Sequence, residues 1–129
     1  VAEAVRTAAP GAQIGIILAL NAFVPSSDDP ADVRAAEFAD AINHGSFTGP
    51  ALHGHYPELL PSVFPHFGED AETIAKVPDT LDWIGLNYYG PFCIGIDPAT
   101  GSPGPKPRPD VYTTPIGWEI DPQGMTDWL

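Results

Sequence analysis

The sequence predicts an α/β chain built around a parallel βαβ unit, and three observations carry that prediction. "QIGIILAL", Gln13 to Leu20, is a near-continuous apolar run, the pattern of a strand covered on both faces. Leu81 to Leu86, inside "TLDWIGLNYYG", repeats it, and Gly85 there leaves room for another backbone or a bulky side chain to approach. Between the two runs Val33, Ala36, Ala39 and Ile42 recur at helical spacing with Phe38 beside them, which predicts an amphipathic crossover helix. Strand, helix and strand in that order imply parallel pairing with a right-handed connection.

Val1–Ala9 mixes Ala, Val, Glu and Arg without breakers and stops at Pro10-Gly11, so it reads as the last turns of a helix expected to begin outside this chain. The first strand is followed by a loop, "NAFVPSSDDP". In it Asp28 or Asp29 before Pro30 marks a helix start, a carboxylate accepting orphan backbone N–H groups with Pro in the first turn. That helix is expected to reach about Asn43, with Asp32, Arg34, Glu37 and Asp40 left largely to solvent.

"HGSFTGPALHGHYPELLPSVFPHFGED" alternates short apolar pieces with Gly and Pro, which predicts a compact loop with a short helix near Glu58–Leu60; Asp70–Lys76 adds a further turn. The second strand is expected to end at Gly90, leaving Asn87, Tyr88 and Tyr89 at its tip. Strand tips are where α/β proteins hold their chemistry, so these three are site candidates. The Pro-rich stretch Ile96–Asp110 reads as a loop, "VYTTPIGWEI" as short extended pieces, and "DPQGMTDWL" as the opening of a helix expected to continue past Leu129.

The 129 residues fit one domain, and 17 acidic against 5 basic residues give a net charge of -12. Such a charge repels phosphate backbones and anionic headgroups, which speaks against nucleic acid and membrane surfaces as partners. The lone Cys93 forms no internal disulfide, and no apolar run approaches the roughly 20 residues of a spanning helix. The chain is therefore expected to be soluble; Val1–Pro10 shows no signal peptide, and the compartment stays open with the cytoplasm slightly favoured.

Among reactive groups, His53 and His55 invite a metal, but no Cys, Asp or Glu stands at a spacing suited to a closed zinc site. A solvated loop is the plainer explanation. Cys93 lacks the basic context of an activated thiolate, and no glycine-rich nucleotide pattern occurs. No cofactor is called for. The aromatic residues Tyr56, Trp83, Tyr88, Tyr89, Tyr112, Trp118 and Trp128 are accounted for as core. Tyrosines and an Asn at a strand tip equally suit a sugar, whose ring offers apolar faces for stacking and hydroxyls for hydrogen bonds.

"DWIGLNYYG" together with "TTPIGWEIDPQGMTDWL" resembles glycoside hydrolase family 1, the β-glucosidases and their relatives. "IGIILAL", "AAEFAD" and "GPALHGHYPELL" are similar to further family segments, so the resemblance spans essentially the whole chain. It implies a (β/α)₈ barrel of which residues 1–129 would be a part, truncated at both ends and covering roughly strands five and six with the crossover helix. It also implies roles: Tyr89 as the tyrosine that hydrogen-bonds and orients the nucleophilic carboxylate, and Asn87 as the asparagine lining the sugar pocket.

Retaining chemistry needs two carboxyls about 5 Å apart. The family holds them in T-x-N-E-P and [IV]-T-E-N-G segments, and neither string occurs here. Glu119 belongs to the "GWEI" match and is not promoted to nucleophile. Ala19 stands where relatives commonly carry Asn, with Asn21 two residues on; Ser46 replaces a usual Trp, and Gly49 the Asp of a D-P pair.

The resemblance therefore implies part of a retaining β-glucosidase that acts on small β-glucosides or oligosaccharides, supplies pocket residues, and is inactive alone. The alternative is a non-catalytic carbohydrate-binding or self-associating α/β piece. In either case strands cut from a closed barrel have unpaired edges, so self-association or the remainder of the barrel is the expected partner.

Overall fold

The computed structural model describes residues 1–128. In chain order it contains α1 (Ala2–Ala8), β1 (Gly15–Pro25), α2 (Pro30–Asp40), α3 (Ser46–Thr48), α4 (Leu59–Val63), α5 (Ala71–Ile74), β2 (Trp83–Ile96), β3 (Pro103–Pro105) and α6 (Gly124–Trp128). The sheet has the order β1-β2-β3. Two compact units divide the chain, Val1–Leu18 with Ala41–Asn87 and Ala19–Asp40 with Tyr88–Leu129.

In the first unit the starts of β1 and β2 pair side by side. The Asp82 N–H donates to the Ile14 carbonyl at 2.6 Å, and the Ile14 N–H donates to Asp82 Oδ2 at 2.8 Å. Farther along, Ile17 Cγ1 sits 3.2 Å from where a Gly85 Cβ would stand, the close approach expected at that glycine. Residue numbers rise together on both strands, so they run in the same direction. Arg6 Nη2 donates to Asp82 Oδ2 at 3.0 Å and to the Thr80 carbonyl at 3.2 Å, which ties α1 to the same point. The Ile14 amide, then Arg6, hold the Asp82 carboxyl below its ordinary range.

Three expectations in this unit are corrected. Ile17 is 61% exposed and Trp83 is exposed, while Leu18 is buried, so the apolar runs are not covered on both faces. Side chains alternate between the faces of a strand, and the described residues supply packing for one of them. Ile42, placed on the apolar helix face by its spacing, is exposed.

The third correction concerns the stretch read as a loop. It is helical, with π-helical turns at Ala41–Gly45 and Gly49–His53 flanking α3. Ser46 Oγ donates to the Ile42 carbonyl at 2.6 Å and Thr48 Oγ1 to the His44 carbonyl at 3.1 Å, each four residues back. A Cβ on Gly49 would lie 2.5 Å from the His55 carbonyl oxygen, so that glycine serves close packing rather than chain reversal. Leu60 of α4 is fully buried, joined by buried Ala41 and Ala51. Helix α4 overlaps the short helix expected near Glu58–Leu60, and α5 lies within the further turn expected at Asp70–Lys76.

In the second unit β1 continues past Leu20 to Pro25, through residues read as loop. The Ser26 N–H donates to the Ile94 carbonyl at 2.7 Å, and Asn21 Nδ2 to the Gly90 carbonyl at 3.1 Å. With the Phe23 and Phe92 rings 6.0 Å apart, polar and aromatic contacts extend the pairing beyond the aliphatic run. Asp29 caps α2 as expected, its Oδ1 accepting the Ala31 N–H at 2.8 Å.

Asp32 is not solvated as its position predicts; it is buried. It accepts Ser26 Oγ at 2.6 Å, Ser27 Oγ at 2.7 Å and the Ile96 N–H at 2.7 Å. These donors, the Ser26 hydroxyl first, lower its carboxyl to about 2.

Strand β2 does not stop at Gly90; it runs to Ile96 and pairs antiparallel with β3, a strand inside the stretch read as a loop. The register sets Ile94 against Pro105, Gly95 against Gly104 and Ile96 against Pro103. Prolines are tolerated there because β3 lies at the edge of the sheet. Leu20 and Ala36 are the deepest apolar positions of this unit. Among the described residues no helix is long and apolar enough to cross a membrane.

Candidate functional site

Asn87, Tyr88 and Tyr89 lie within β2, not at its tip, because the strand passes through Gly90. Gly90 is the reason: its φ of 111° bends the backbone without ending the ladder, and a Cβ there would lie 2.7 Å from the Glu119 carbonyl oxygen. Strand alternation gives Asn87 and Tyr89 the same parity and Tyr88 the opposite one. Asn87 is exposed.

Tyr88 and Tyr89 have separate tasks. Tyr88 donates its hydroxyl to Asp121 Oδ2 at 2.7 Å, which removes it from the candidate pocket. Burial, then this bond, raises its phenol above the ordinary value. Tyr89 is 43% exposed and meets the half-exposed Trp118 edge to face, ring centroids 5.7 Å apart.

The segment carrying Trp118 is a small hairpin. Thr113 bridges Glu119 in antiparallel fashion, the Thr114 N–H donates to the Trp118 carbonyl at 2.7 Å, and the Trp118 N–H donates to Thr114 Oγ1 at 3.1 Å. Arg108 grips Glu119 as a fork, Nε to Oε2 at 3.1 Å and Nη2 to Oε1. Glu119 is thereby paired with a cation.

Tyr89, Phe92, Cys93, Arg108, Trp118 and Glu119 are among the residues lining a cavity of about 340 Å³. Its walls combine aromatic surface with a closed ion pair, a lining that can hold an apolar ring and present hydrogen-bonding groups at the rim. A smaller depression of about 270 Å³ shares Tyr89 and Trp118 and is bordered by Tyr88 and Asp121. Sequence reasoning missed Arg108, Phe92 and Asp121; the signal available was a cation inside the Pro-rich stretch of a strongly acidic chain.

His53 and His55 lie 5.9 Å apart by ring centroids, and His55 Nδ1 is within 3.1 Å of the Tyr56 carbonyl. Among the described residues no group of three or more His, Cys, Asp or Glu is arranged to hold a metal ion.

A sequence model of glycosyl hydrolase family 1 matches residues 1–129. The chain belongs to glycosyl hydrolase family 1. A family β-glucosidase from an Agrobacterium species is 37% identical over 126 residues, covering 92% of this chain and 27% of that protein. The solved structure of the virulence factor SghA from Agrobacterium tumefaciens superposes with a TM-score of 0.78 at 30% identity, covering 98% of this chain and 29% of that one. The β-glucosidase of Thermotoga maritima in complex with deoxynojirimycin gives a TM-score of 0.77 at 28% identity, over 96% of this chain and 28% of that one. This family 1 chain thus shares its α/β fold with (β/α)₈-barrel β-glucosidases and spans a little over a quarter of the length of the relatives it matches.

Proposed function

We propose that residues 1–129 are part of a retaining β-glycosidase that removes terminal β-linked sugars from small β-glucosides or oligosaccharides. In this reading the chain is a portion of one (β/α)₈ domain, β1 and β2 correspond to the fifth and sixth barrel strands, and the catalytic acids come from outside it. The single observation that carries the reading is the family match along the whole chain. The T. maritima relative bound to deoxynojirimycin supports a glucose-like ring as the ligand.

Tyr89 donates its phenol to the nucleophilic carboxylate, and Asn87 lines the sugar pocket. A phenol that donates to a carboxylate favours the charged form, lowering its pKa and fixing its attack angle. Both are positioning groups, and neither performs the bond exchange.

The 129-residue chain alone is expected to hydrolyse 4-nitrophenyl β-glucoside no faster than buffer. A rate well above buffer that disappears in Tyr89→Phe would overturn the division of labour. Reading the flanking sequence tests the remainder: N-E-P before Val1 and T-E-N-G after Leu129 are expected. The exposed face marked by Ile17 is closed by the rest of the barrel or by a second copy, so the isolated chain should sediment as an associated species at high concentration.

A further inference from the structure

We propose that Asn21 is a positioning residue for Tyr89 that acts through Gly90: its side-chain amide holds a swivel in β2 from which the Tyr89 ring takes its direction. The inference rests on the glycosidase reading for one point only, that the ring so directed is the one that orients the nucleophilic carboxylate.

Tyr89, Gly90 and Pro91 are consecutive residues of β2 with unequal freedom. Pro91 is stiff, because its own ring locks φ. Gly90 is the loose joint before it: glycine takes either sign of φ at little cost, and here the angle is 111°. It has no side chain to hold that state, and a Cβ there would meet the Glu119 carbonyl oxygen at 2.7 Å. Restraint therefore has to come from neighbours.

Asn21, on the adjoining β1, applies it. Its Nδ2 donates to the Gly90 carbonyl at 3.1 Å, a bond across 69 positions of sequence that pins the peptide plane joining Gly90 to Pro91. Gly90 is buried, and a buried carbonyl left without a donor is costly, which keeps the pair closed.

On the other side of the swivel Tyr89 meets Trp118 edge to face, ring centroids 5.7 Å apart. Trp118 is the chain neighbour of Glu119, whose carbonyl faces the open side of Gly90. Gly90 is thus held between a β1 amide and a hairpin carbonyl, and turning it would carry the Tyr89 ring off Trp118. The Phe23 and Phe92 rings, 6.0 Å apart, lie beyond Pro91 and are insulated from that turn.

The experiment follows ring-to-ring NMR cross-peaks in the 129-residue chain, Tyr89 with Trp118 as the reporter and Phe23 with Phe92 as the internal control. Signals are assigned with Trp118→Phe and Phe92→Leu. Asn21→Ala removes the donor and is expected to lose the Tyr89–Trp118 cross-peaks while keeping those of Phe23 and Phe92. Asn21→Asp is the sharper variant. It has the shape of Asn, yet at neutral pH it turns a carboxylate toward the Gly90 carbonyl, and two acceptors repel. Once protonated, its O–H donates to that carbonyl as the amide did. Acidification from about pH 7 to about pH 4, across the ordinary carboxylate range, should restore the Tyr89–Trp118 cross-peaks in Asn21→Asp and not in Asn21→Ala. The unaltered chain, titrated alongside, should show them throughout.

Should Asn21→Ala unfold, the reversal in Asn21→Asp carries the test alone. Persistence of the Tyr89–Trp118 contact in either variant at neutral pH, loss of the Phe23–Phe92 contact along with it in Asn21→Asp, or no recovery on acidification overturns the proposal. Absence of the Tyr89–Trp118 cross-peaks from the unaltered chain does the same. No sugar is bound and nothing is hydrolysed, so such a result leaves the glycosidase reading standing, and an inert glycoside leaves the hold of Asn21 on Tyr89 standing.

Discussion

Tyr88 donates its phenolic hydrogen to Asp121 Oδ2 at 2.7 Å, while the Gly124 N–H reaches Asp121 Oδ1 at 3.2 Å. One carboxylate therefore joins β2 to the first turn of α6. Tyr88→Phe is expected to cost about 1 kcal/mol in denaturant unfolding. Its pH signature is more specific. The folded state raises the Tyr88 phenol above its ordinary 10, through burial first and the Asp121 bond second, so folding favours the protonated form. The associated stability is fully present below pH 10 and drains away as pH rises beyond it. Thermal unfolding followed by circular dichroism between pH 9 and 11 should show a declining alkaline limb that is weaker in Tyr88→Phe.

Asp32 gives the mirror image at low pH. Its carboxyl falls from 3.8 to about 2 in the fold, so its contribution is present above the unfolded value and lost as pH falls from near 4 toward 2. Asp32→Asn should lower the melting temperature at pH 6 and flatten its dependence on pH across that window. Ser27→Ala, removing one of three donors, should give a smaller change in the same direction.

Gly90→Ala combines an unfavourable backbone angle with a collision against the Glu119 carbonyl. A loss of about 1–3 kcal/mol is expected, read as a lower midpoint in urea. Chemical shifts of Trp118 should move with it, since Glu119 is its chain neighbour.

Leu20, 1% exposed, and Ile17, 61% exposed, lie on the same strand yet should respond differently. Leu20→Ala leaves a cavity and is expected to cost about 2–5 kcal/mol. Ile17→Ala should stay within about 0.5 kcal/mol for the single chain. In analytical ultracentrifugation the order reverses: Ile17→Ser should weaken association.

The strand, helix and strand order of β1, α2 and β2 was legible because its signals are local. Hydrophobic runs at Ile14–Leu20 and Leu81–Leu86 and the cap at Asp29 depend on neighbours within a few residues. The motif around Asn87 and Tyr89 was legible as a family resemblance. Asp32 was misread because a carboxylate in a first helical turn ordinarily faces water, and one of its donors, the Ile96 amide, lies 64 residues away. Arg108 and Glu119 are 11 residues apart with a hairpin between them, and no short-range pattern announces their pairing.

The composition of β3 gives the sheet a direction of growth. With Pro103 and Pro105 on either side of Gly104, only one of its three residues carries a backbone N–H. Addition of a strand beside β3 is thereby disfavoured, whereas every residue of β1 before Pro25 retains its amide. The proline strand thus guards the far end of β2 against pairing with another copy, and the rest of β2 and the whole of β1 stay available to the neighbouring strands that would complete the sheet.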